Sequence, residues 1–374
     1  MIRKYSLFIL LLLVFIGCKN ESKLVSEESI INSYQPQYAK FFHIDYYRNY
    51  KIIHITNPWE NAALDLSYVI SKDSILTNQP NGFLIKLPIE KVAALSSPMV
   101  GLMHILQLDQ YIAGVTDPEL IYNQQIADKV ENKSIINLGK SVAISMEQML
   151  MLQPDLIIGS GWDQLSNDYQ RMIQQNMNPL LMYDWKEEHP LGKAEWMVLL
   201  ASFFQMEDVA IKKFQDIATK YHHLKEQSIL ESNPSVLNGS EYQGIWYSAG
   251  GKSYMSQLYG DAGGEYIMKN DATTGSLMLD FEVVMQKAAE TDIWMYTGEI
   301  YSSKMELFQT PKYQSLAAVR KHMVYSYHKR MNSRGANDYW ETATYRPDLV
   351  LQDLVNIFKQ DSLEDLYYFK KVGY

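Results

Sequence analysis

Large aromatic side chains and two arginines follow predicted strands in this sequence, at positions where they can contact a bound molecule. Indole rings cover flat or apolar surfaces, and guanidinium groups pair with carboxylate or phosphate oxygens in bidentate fashion. In open α/β sheets such contacts gather at the carboxyl ends of the strands. Together with one Ser and one Tyr from similar loops, the candidate contact residues are Ser97, Trp162, Trp185, Trp246, Tyr301, Arg330, Arg334 and Trp340.

The same residues also have ordinary structural interpretations. Each Trp can instead pack within its own part of the fold, and the arginines can pair with Asp338 or Glu341 at the surface. Tyr301 can ligate haem iron, although nothing in the sequence selects it among the 27 tyrosines. Both interpretations stay open on the sequence alone.

No motif in the sequence favours catalysis or a resident metal. Gly251-Lys252-Ser253 lacks the first Gly of a phosphate-binding loop, because Trp246 stands there. The run at 159–161 does not match the nucleophile elbow of hydrolases. His222 and His223 point to different faces of a predicted helix, and His189 has no second His at zinc-ligand spacing. We predict no catalytic residue, no cofactor and no metal site.

The N-terminus has the pattern of an export signal. Arg3 and Lys4 precede an apolar run, residues 7–16, which is shorter than the roughly 20 residues that span a bilayer. We predict a lipoprotein signal peptide at 1–17, a lipid on Cys18, and a flexible tether at 18–40. Cys18 is the only cysteine, so an internal disulfide is excluded and the lipid accounts for the thiol.

The charge balance excludes one class of partner. Loss of Arg3 and Lys4 with the signal leaves 32 basic and 43 acidic side chains, a net charge of −11. An acidic surface repels phosphate backbones, so nucleic acid is not expected to bind. The 47% of hydrophobic residues is enough to bury sizeable cores.

The rhythm of apolar runs predicts an α/β fold in two lobes. Short alternating strands at about 40–90 favour a small β-meander, and strand–helix alternation follows at 92–205 and again after Pro234. Uninterrupted helical periodicity predicts one long helix at 206–231 between the lobes, which therefore span 41–205 and 232–374. Ser145 and Asp280 are predicted to cap corresponding helices of the two lobes.

Six segments carry a pattern that is specific in its order and spacing along the chain. They are IAGVTD at 112–117, SMEQMLMLQPDLIIG at 145–159, PLGKAEW at 190–196, DAGG at 261–264, NDYWE at 337–341 and RPDLVL at 346–351. Together they resemble the binding proteins of ATP-binding-cassette importers for iron complexes, haem and vitamin B12. The resemblance covers about 50–360, and the segments at 190–196, 337–341 and 346–351 look like those of Bacteroidota lipoproteins.

This resemblance implies two Rossmann-like lobes joined by a long helix, with the ligand between them. It implies a monomeric, non-catalytic lipoprotein, anchored by Cys18 at the periplasmic or cell-surface face of a membrane. Such a protein captures a ferric siderophore-like complex and delivers it to a permease driven by an ATPase. A corrinoid and haem are alternative ligands. The glutamate that docks many relatives to the permease is not found at 98–103, and 254–258 offers only Gln257.

Two alternatives of other kinds remain open. One is a metallocluster enzyme on the same bilobal fold, which requires clustered Cys or His ligands. The other is a surface lipoprotein that stores or scavenges its ligand without a transporter.

Overall fold

The computed structural model describes residues 29–59, 66–72, 80–177, 179–229, 233–299 and 306–373. The predicted signal peptide, Cys18 and Tyr301 lie outside these residues. Within them, no helix is both long and apolar enough to cross a membrane.

A five-stranded sheet precedes the first lobe. Its strands lie in sequence order and are antiparallel, apart from the parallel last pair. This sheet is the predicted meander. The strands are β1 (Asn32–Tyr34), β2 (Phe42–Tyr46), β3 (Tyr50–Ile55), β4 (Leu66–Ser71) and β5 (Phe83–Lys86).

The prediction of a flexible tether up to residue 40 is wrong for its last ten residues. β1 pairs with β2, and the next turn is held by a buried carboxylate. The backbone N–H groups of Gln37, Tyr38 and Ala39 donate to Glu195 at 2.7–2.9 Å. Charge-assisted bonds of this kind fix a polar segment that has no apolar periodicity of its own.

The N-terminal lobe is a parallel five-stranded sheet in the order β12-β11-β6-β7-β8, with a small β9–β10 hairpin beside it. Ser145 caps its helix as predicted, with the Gln148 N–H donating to the hydroxyl at 3.3 Å. The strands are β6 (Val92–Ala94), β7 (Ile112–Val115), β8 (Ile136–Asn137), β9 (Gly139–Lys140), β10 (Ala143–Ile144), β11 (Leu156–Ser160) and β12 (Pro179–Met182). The helices are α1 (Ser97–Ile105), α2 (Gln124–Glu131), α3 (Met146–Leu152), α4 (Asn167–Gln174) and α5 (Pro190–Ser202).

The long helix between the lobes is α6 (Glu207–Gln227), which is about 31 Å long at 1.5 Å per residue. One face, with Phe214, Ile217 and Tyr221, is buried. The helix ends four residues before the predicted limit of 231, because Ser228 closes the last turn. Its backbone N–H and its hydroxyl both donate to the Lys225 carbonyl.

The C-terminal lobe has a parallel centre, β15-β13-β17-β18, and antiparallel edges formed by β14, β16 and β19. Asp280 precedes α8 as predicted but makes no side-chain cap bond. The strands are β13 (Ser235–Tyr242), β14 (Ile245–Ala249), β15 (Glu265–Tyr266), β16 (Ser276–Asp280), β17 (Ile293–Tyr296), β18 (Val324–Ser326) and β19 (Lys370–Lys371). The helices are α7 (Tyr254–Asp261), α8 (Phe281–Ala288), α9 (Pro311–Gln314), α10 (Ala317–Arg320), α11 (Asp338–Thr342) and α12 (Pro347–Lys359).

The lobes also touch directly, away from α6, where α11 packs on α1. A Cβ atom on Gly101 would lie 1.9 Å from the Glu341 carbonyl oxygen, so only Gly permits this approach. The Glu341 side chain accepts the backbone N–H groups of Tyr122 at 2.6 Å and Asn123 at 3.0 Å. We call this the inter-lobe contact. The predicted two-lobe α/β architecture is confirmed, and direct contacts between the lobes add to the connection through α6.

Candidate ligand-binding cleft

A cleft of about 550 Å³ lies between the lobes. On the C-terminal lobe it opens at the carboxyl ends of β17 and β18, where ligands of open α/β sheets bind. The N-terminal lobe contributes residues 185–188 from the loop after β12. From the C-terminal lobe the lining includes Asn238, Ser240, Tyr247, Tyr254, Met255, Tyr296, Thr297, Tyr327, Tyr339 and Trp340.

Three tryptophans form the aromatic wall of the N-terminal lobe: Trp59, Trp162 and Trp185. The Trp185 ring centroid lies 4.7 Å from that of Trp162 and 5.7 Å from that of Trp59. The Trp185 indole N–H donates to the Gly161 carbonyl at 3.0 Å, which fixes the ring. The Lys186 ammonium lies 5.0 Å from the Trp59 centroid. A cation over these rings gives the wall a positive rim.

Glycine brings the two loops of this wall together. A Cβ atom on Gly161 would lie 2.0 Å from the Tyr183 ring. The loop after β11 can therefore pass close to the loop after β12, which places Trp162 beside Trp185. Trp162 remains 56% exposed, so its outer face is available to solvent or to a ligand.

The opposite wall belongs to the C-terminal lobe and is centred on Trp340. Tyr327 and Tyr339 stack at 4.7 Å, and Trp340 packs edge-on against both at 5.1 and 5.3 Å. Asn337 joins these elements, because its amide donates to the Tyr327 carbonyl and its oxygen accepts the Tyr339 N–H. Trp340 is 53% exposed, so each lobe presents an indole to the cleft.

The sequence of this chain also matches a known protein family. Residues 92–331 match the family of periplasmic binding proteins. The chain belongs to that family. This result confirms the family predicted from the sequence, whereas the Bacteroidota branch stays a prediction.

Solved structures of similar proteins share this fold. One is the apo periplasmic heme-binding protein of Roseiflexus sp. RS-1, with 15% identity, a TM-score of 0.57 and coverage of 73% of this chain and 99% of that one. Another is the siderophore-binding protein of Vibrio cholerae with Fe³⁺-Desferal, with 14% identity, a TM-score of 0.55 and coverage of 72% and 100%. An uncharacterized lipoprotein of Methanocaldococcus jannaschii is 22% identical over 291 residues, 75% of this chain and 68% of that protein.

Among the predicted contact residues, Trp185 and Trp340 line the cleft of this family member, and Trp162 supports Trp185. Trp59 was missed by the sequence reasoning. The available signal was its place after the Asn57-Pro58 turn that ends β3. Ser97 lies half-buried in the first turn of α1 and is not among the described lining residues.

The prediction that Trp246 walls the cleft is wrong. Trp246 is fully buried, its ring stacks on Trp294 at 5.4 Å, and its N–H donates to the Asn238 carbonyl. Side chains alternate along β14, so Trp246 points into the lobe while its neighbour Tyr247 points outward and lines the cleft. The sequence reasoning placed Trp246 at the end of a strand, whereas it lies within β14.

The two arginines predicted to bind an anionic ligand are engaged elsewhere. Arg330 pairs with Asp338, as the alternative interpretation held, and its guanidinium carbon lies 4.3 Å from the centroid of the Tyr367 ring. Arg334 reaches the other lobe, where it donates to Asp128 and Glu131 of α2 at 2.9 Å. Neither is among the described residues that line the cleft. The ligand contacts predicted for both stay predictions.

A buried lysine and a buried aspartate lie behind Trp185. The Lys193 amine donates to the Trp185 carbonyl at 3.4 Å and lies 4.0 Å from the Tyr254 ring centroid. Burial lowers the pKa of Lys193 to about 8. Burial also raises the pKa of Asp184, which accepts the Tyr345 hydroxyl at 3.1 Å. These groups hold Trp185 in position from below.

The cleft itself carries little net charge. Its charged lining residues are Lys186, Glu187 and Glu188. The Glu187 carboxylate is occupied by the Lys40 backbone N–H and the Trp196 indole. Burial raises the pKa of Tyr327 and Tyr339, so these phenols are neutral at pH 7. The walls therefore offer aromatic faces and hydroxyl groups rather than fixed charge.

Proposed function

We propose that this protein is the extracytoplasmic solute-binding lipoprotein of an ATP-binding-cassette importer. It captures a ferric complex between its lobes and delivers it to a permease that a separate ATPase drives. The observation that carries the proposal is the inter-lobe cleft with an indole on each side, Trp185 and Trp340. Membership of the periplasmic binding protein family supports the same role, and the proposal assigns no catalytic step.

Size and charge narrow the ligand class. A cleft of about 550 Å³ suits a molecule of several hundred daltons, since ligand sites span roughly 300–1,000 Å³. Arg330 and Arg334 are engaged in ion pairs, and among the described lining residues Lys186 is outnumbered by Glu187 and Glu188, which disfavours a highly anionic complex. A ferric complex of low net charge, such as a hydroxamate, fits best. A corrinoid is the second candidate, and haem, with its two propionates, is the third.

The location follows from the N-terminus and from a relative. Lipid on Cys18 would anchor the protein at the periplasmic or cell-surface face of a membrane, with residues up to about 30 as the tether. The Methanocaldococcus relative named as a lipoprotein supports this placement. We expect a monomer that meets its permease through both lobes.

A thermal-shift panel tests the proposal on the purified protein. The ligands are a ferric hydroxamate, a ferric catecholate, cobalamin, cobinamide and haemin. A ligand that binds only the folded state stabilises it by about 2.7 kcal/mol at one hundred times its dissociation constant. We expect the ferric hydroxamate to raise the melting temperature most. A larger rise with cobalamin or cobinamide selects the corrinoid alternative, and no rise with any ligand refutes the proposal.

A pair of variants tests whether the rise in melting temperature comes from binding in the cleft. Trp340→Ala removes an exposed indole that lines the cleft, and we expect the shift to fall while the melting temperature without ligand is nearly unchanged. Met151→Ala is the matched control, because Met151 is an exposed apolar side chain on α3 that does not line the cleft. An equal shift in both variants would place the ligand elsewhere.

A further inference from the structure

Two histidines and an aspartate lie together on the outward face of the N-terminal sheet. His43 on β2 stands directly opposite His54 on β3, and Asp45 is two residues further along β2, on the same face. The ligand atoms of the three side chains all lie within 4.8 Å of one another. The Asp45 Oδ2 atom is 3.3 Å from His54 Nε2 and 3.8 Å from His43 Nε2.

Neighbouring serines hold this cluster in place. The Ser33 hydroxyl on β1 donates to Asp45 Oδ1 at 2.5 Å, which leaves Oδ2 facing the two imidazoles. The Ser67 hydroxyl on β4 lies 3.4 Å from His54 Nδ1. Outer partners of this kind orient metal ligands and select the imidazole tautomer. Four adjacent strands thus contribute to one arrangement.

The imidazole nitrogen that faces the carboxylate is otherwise unused. His54 Nε2 is buried, and its 3.3 Å contact with Asp45 Oδ2 is not aligned as a hydrogen bond. The two imidazole rings are nearly parallel, with centroids 4.5 Å apart. A buried ring nitrogen without a well-aligned partner costs free energy unless another group satisfies it. A cation between the three side chains would do so.

We propose that His43, Asp45 and His54 bind a divalent cation of the Zn²⁺ type. Zn²⁺ takes imidazole nitrogen and carboxylate oxygen at about 2.0–2.2 Å, so tetrahedral ligands lie about 3.4 Å apart. The observed 3.3 and 3.8 Å separations from Asp45 are close to that spacing. Three protein ligands leave the fourth position to water. None of the three residues is among those that line the cleft, so the site is distinct from the ligand site.

The site departs from the expectation that the chain has no metal site. His43 and His54 are eleven positions apart, outside any zinc-ligand spacing that a sequence motif would reveal. They become neighbours only through the antiparallel register of β2 and β3. The cation would cross-link these strands in the folded protein.

Calorimetric titration of Zn²⁺ into the full-length, metal-free protein in detergent tests the proposal. We expect one equivalent to bind, and Co²⁺ in its place to give the visible absorption of a four-coordinate site. His54→Ala and Asp45→Asn should each weaken Zn²⁺ binding at least tenfold. His223→Ala is the matched control, because His223 is an exposed histidine on α6, and it should bind as the parent does.

A fourth variant tests whether the three residues form a specific metal site rather than a chance cluster. Ser33→Ala keeps all three ligands but frees the carboxylate, and loss of an outer partner typically weakens metal binding by about 10–100-fold. The melting temperature in the presence of a chelator checks that each variant folds. The proposal fails if Zn²⁺ does not bind stoichiometrically, or if His54→Ala and His223→Ala bind it equally well.

Discussion

Tryptophans in two loops of the N-terminal lobe and tryptophans in two strands of the C-terminal lobe have opposite surroundings. The N-terminal lobe places Trp162 and Trp185 in loops after β11 and β12, where Trp185 lines the cleft and Trp162 packs beside it. The C-terminal lobe places Trp246 and Trp294 within β14 and β17, where both are fully buried. Position relative to the strand, not residue type, decides whether an indole stabilises the fold or can contact a ligand. Stability and binding should therefore be separable by substitution.

The largest expected effect is on the free energy of unfolding and concerns the buried tryptophans. Trp294 packs against Trp246, Phe308 and Tyr313, with centroids 5.1–5.7 Å away, and its N–H donates to the Gly239 carbonyl at 2.9 Å. Truncating a buried aromatic costs about 3–5 kcal/mol. We expect Trp294→Ala to lower the free energy of unfolding of the C-terminal lobe by that amount, as measured by urea denaturation. A loss below about 1 kcal/mol would show that this core is not closely packed.

An effect on ligand binding is expected for the tryptophans in the loops after β11 and β12. Trp185→Ala should weaken ligand binding by roughly 30-fold, as for a central aromatic contact worth about 2 kcal/mol. Trp162→Ala should have a smaller effect, because Trp162 only supports the Trp185 ring, and aromatic pairs contribute about 0.5–1.5 kcal/mol. Isothermal titration with the ligand that the thermal-shift panel identifies measures both. The reverse order of effects would mean that the ligand sits above Trp162, outside the cleft.

The same comparison explains what sequence reasoning could and could not reach. The α/β rhythm, the long helix and the Ser145 cap follow from local spacing, and all three are present in the structure. Trp246 was misplaced because it was expected to follow a strand, whereas it lies within β14, where successive side chains alternate between the inward and outward faces. Phase is weakly marked on β14, where both Trp246 and Tyr247 are aromatic.

Contacts between residues far apart in the sequence were the second feature that sequence reasoning did not predict. Arg334 pairs with Glu131 across 203 positions, and Glu195 binds the backbone of Gln37 across 158. No local pattern encodes such pairs, because they depend on how whole elements pack. For the same reason a polar segment, 31–40, was predicted as tether although its N–H groups meet buried carboxylates. Contacts between elements, rather than the elements themselves, were the part that needed the structure.

A pH-dependent effect is expected at the inter-lobe contact. Burial raises the pKa of Glu341 from its ordinary value of 4.5 to about 7, although two N–H groups from the N-terminal lobe oppose the shift. Between these pH values the folded protein holds the proton more tightly than the unfolded chain does. The contribution of Glu341 to the free energy of unfolding therefore falls as the pH rises from about 4.5 to 7.

The Glu341→Gln variant tests the direction of this pH dependence. The amide keeps one acceptor for the two N–H donors and turns its NH₂ group toward the other. The variant should therefore lose about 1–2 kcal/mol at pH 5. The difference in the free energy of unfolding between the parent and the variant should shrink between pH 5 and 8, because only the parent acquires a buried charge at Glu341. Urea denaturation at several pH values measures this difference. A difference that grows with pH would mean that the ionised carboxylate is the form that the inter-lobe contact favours.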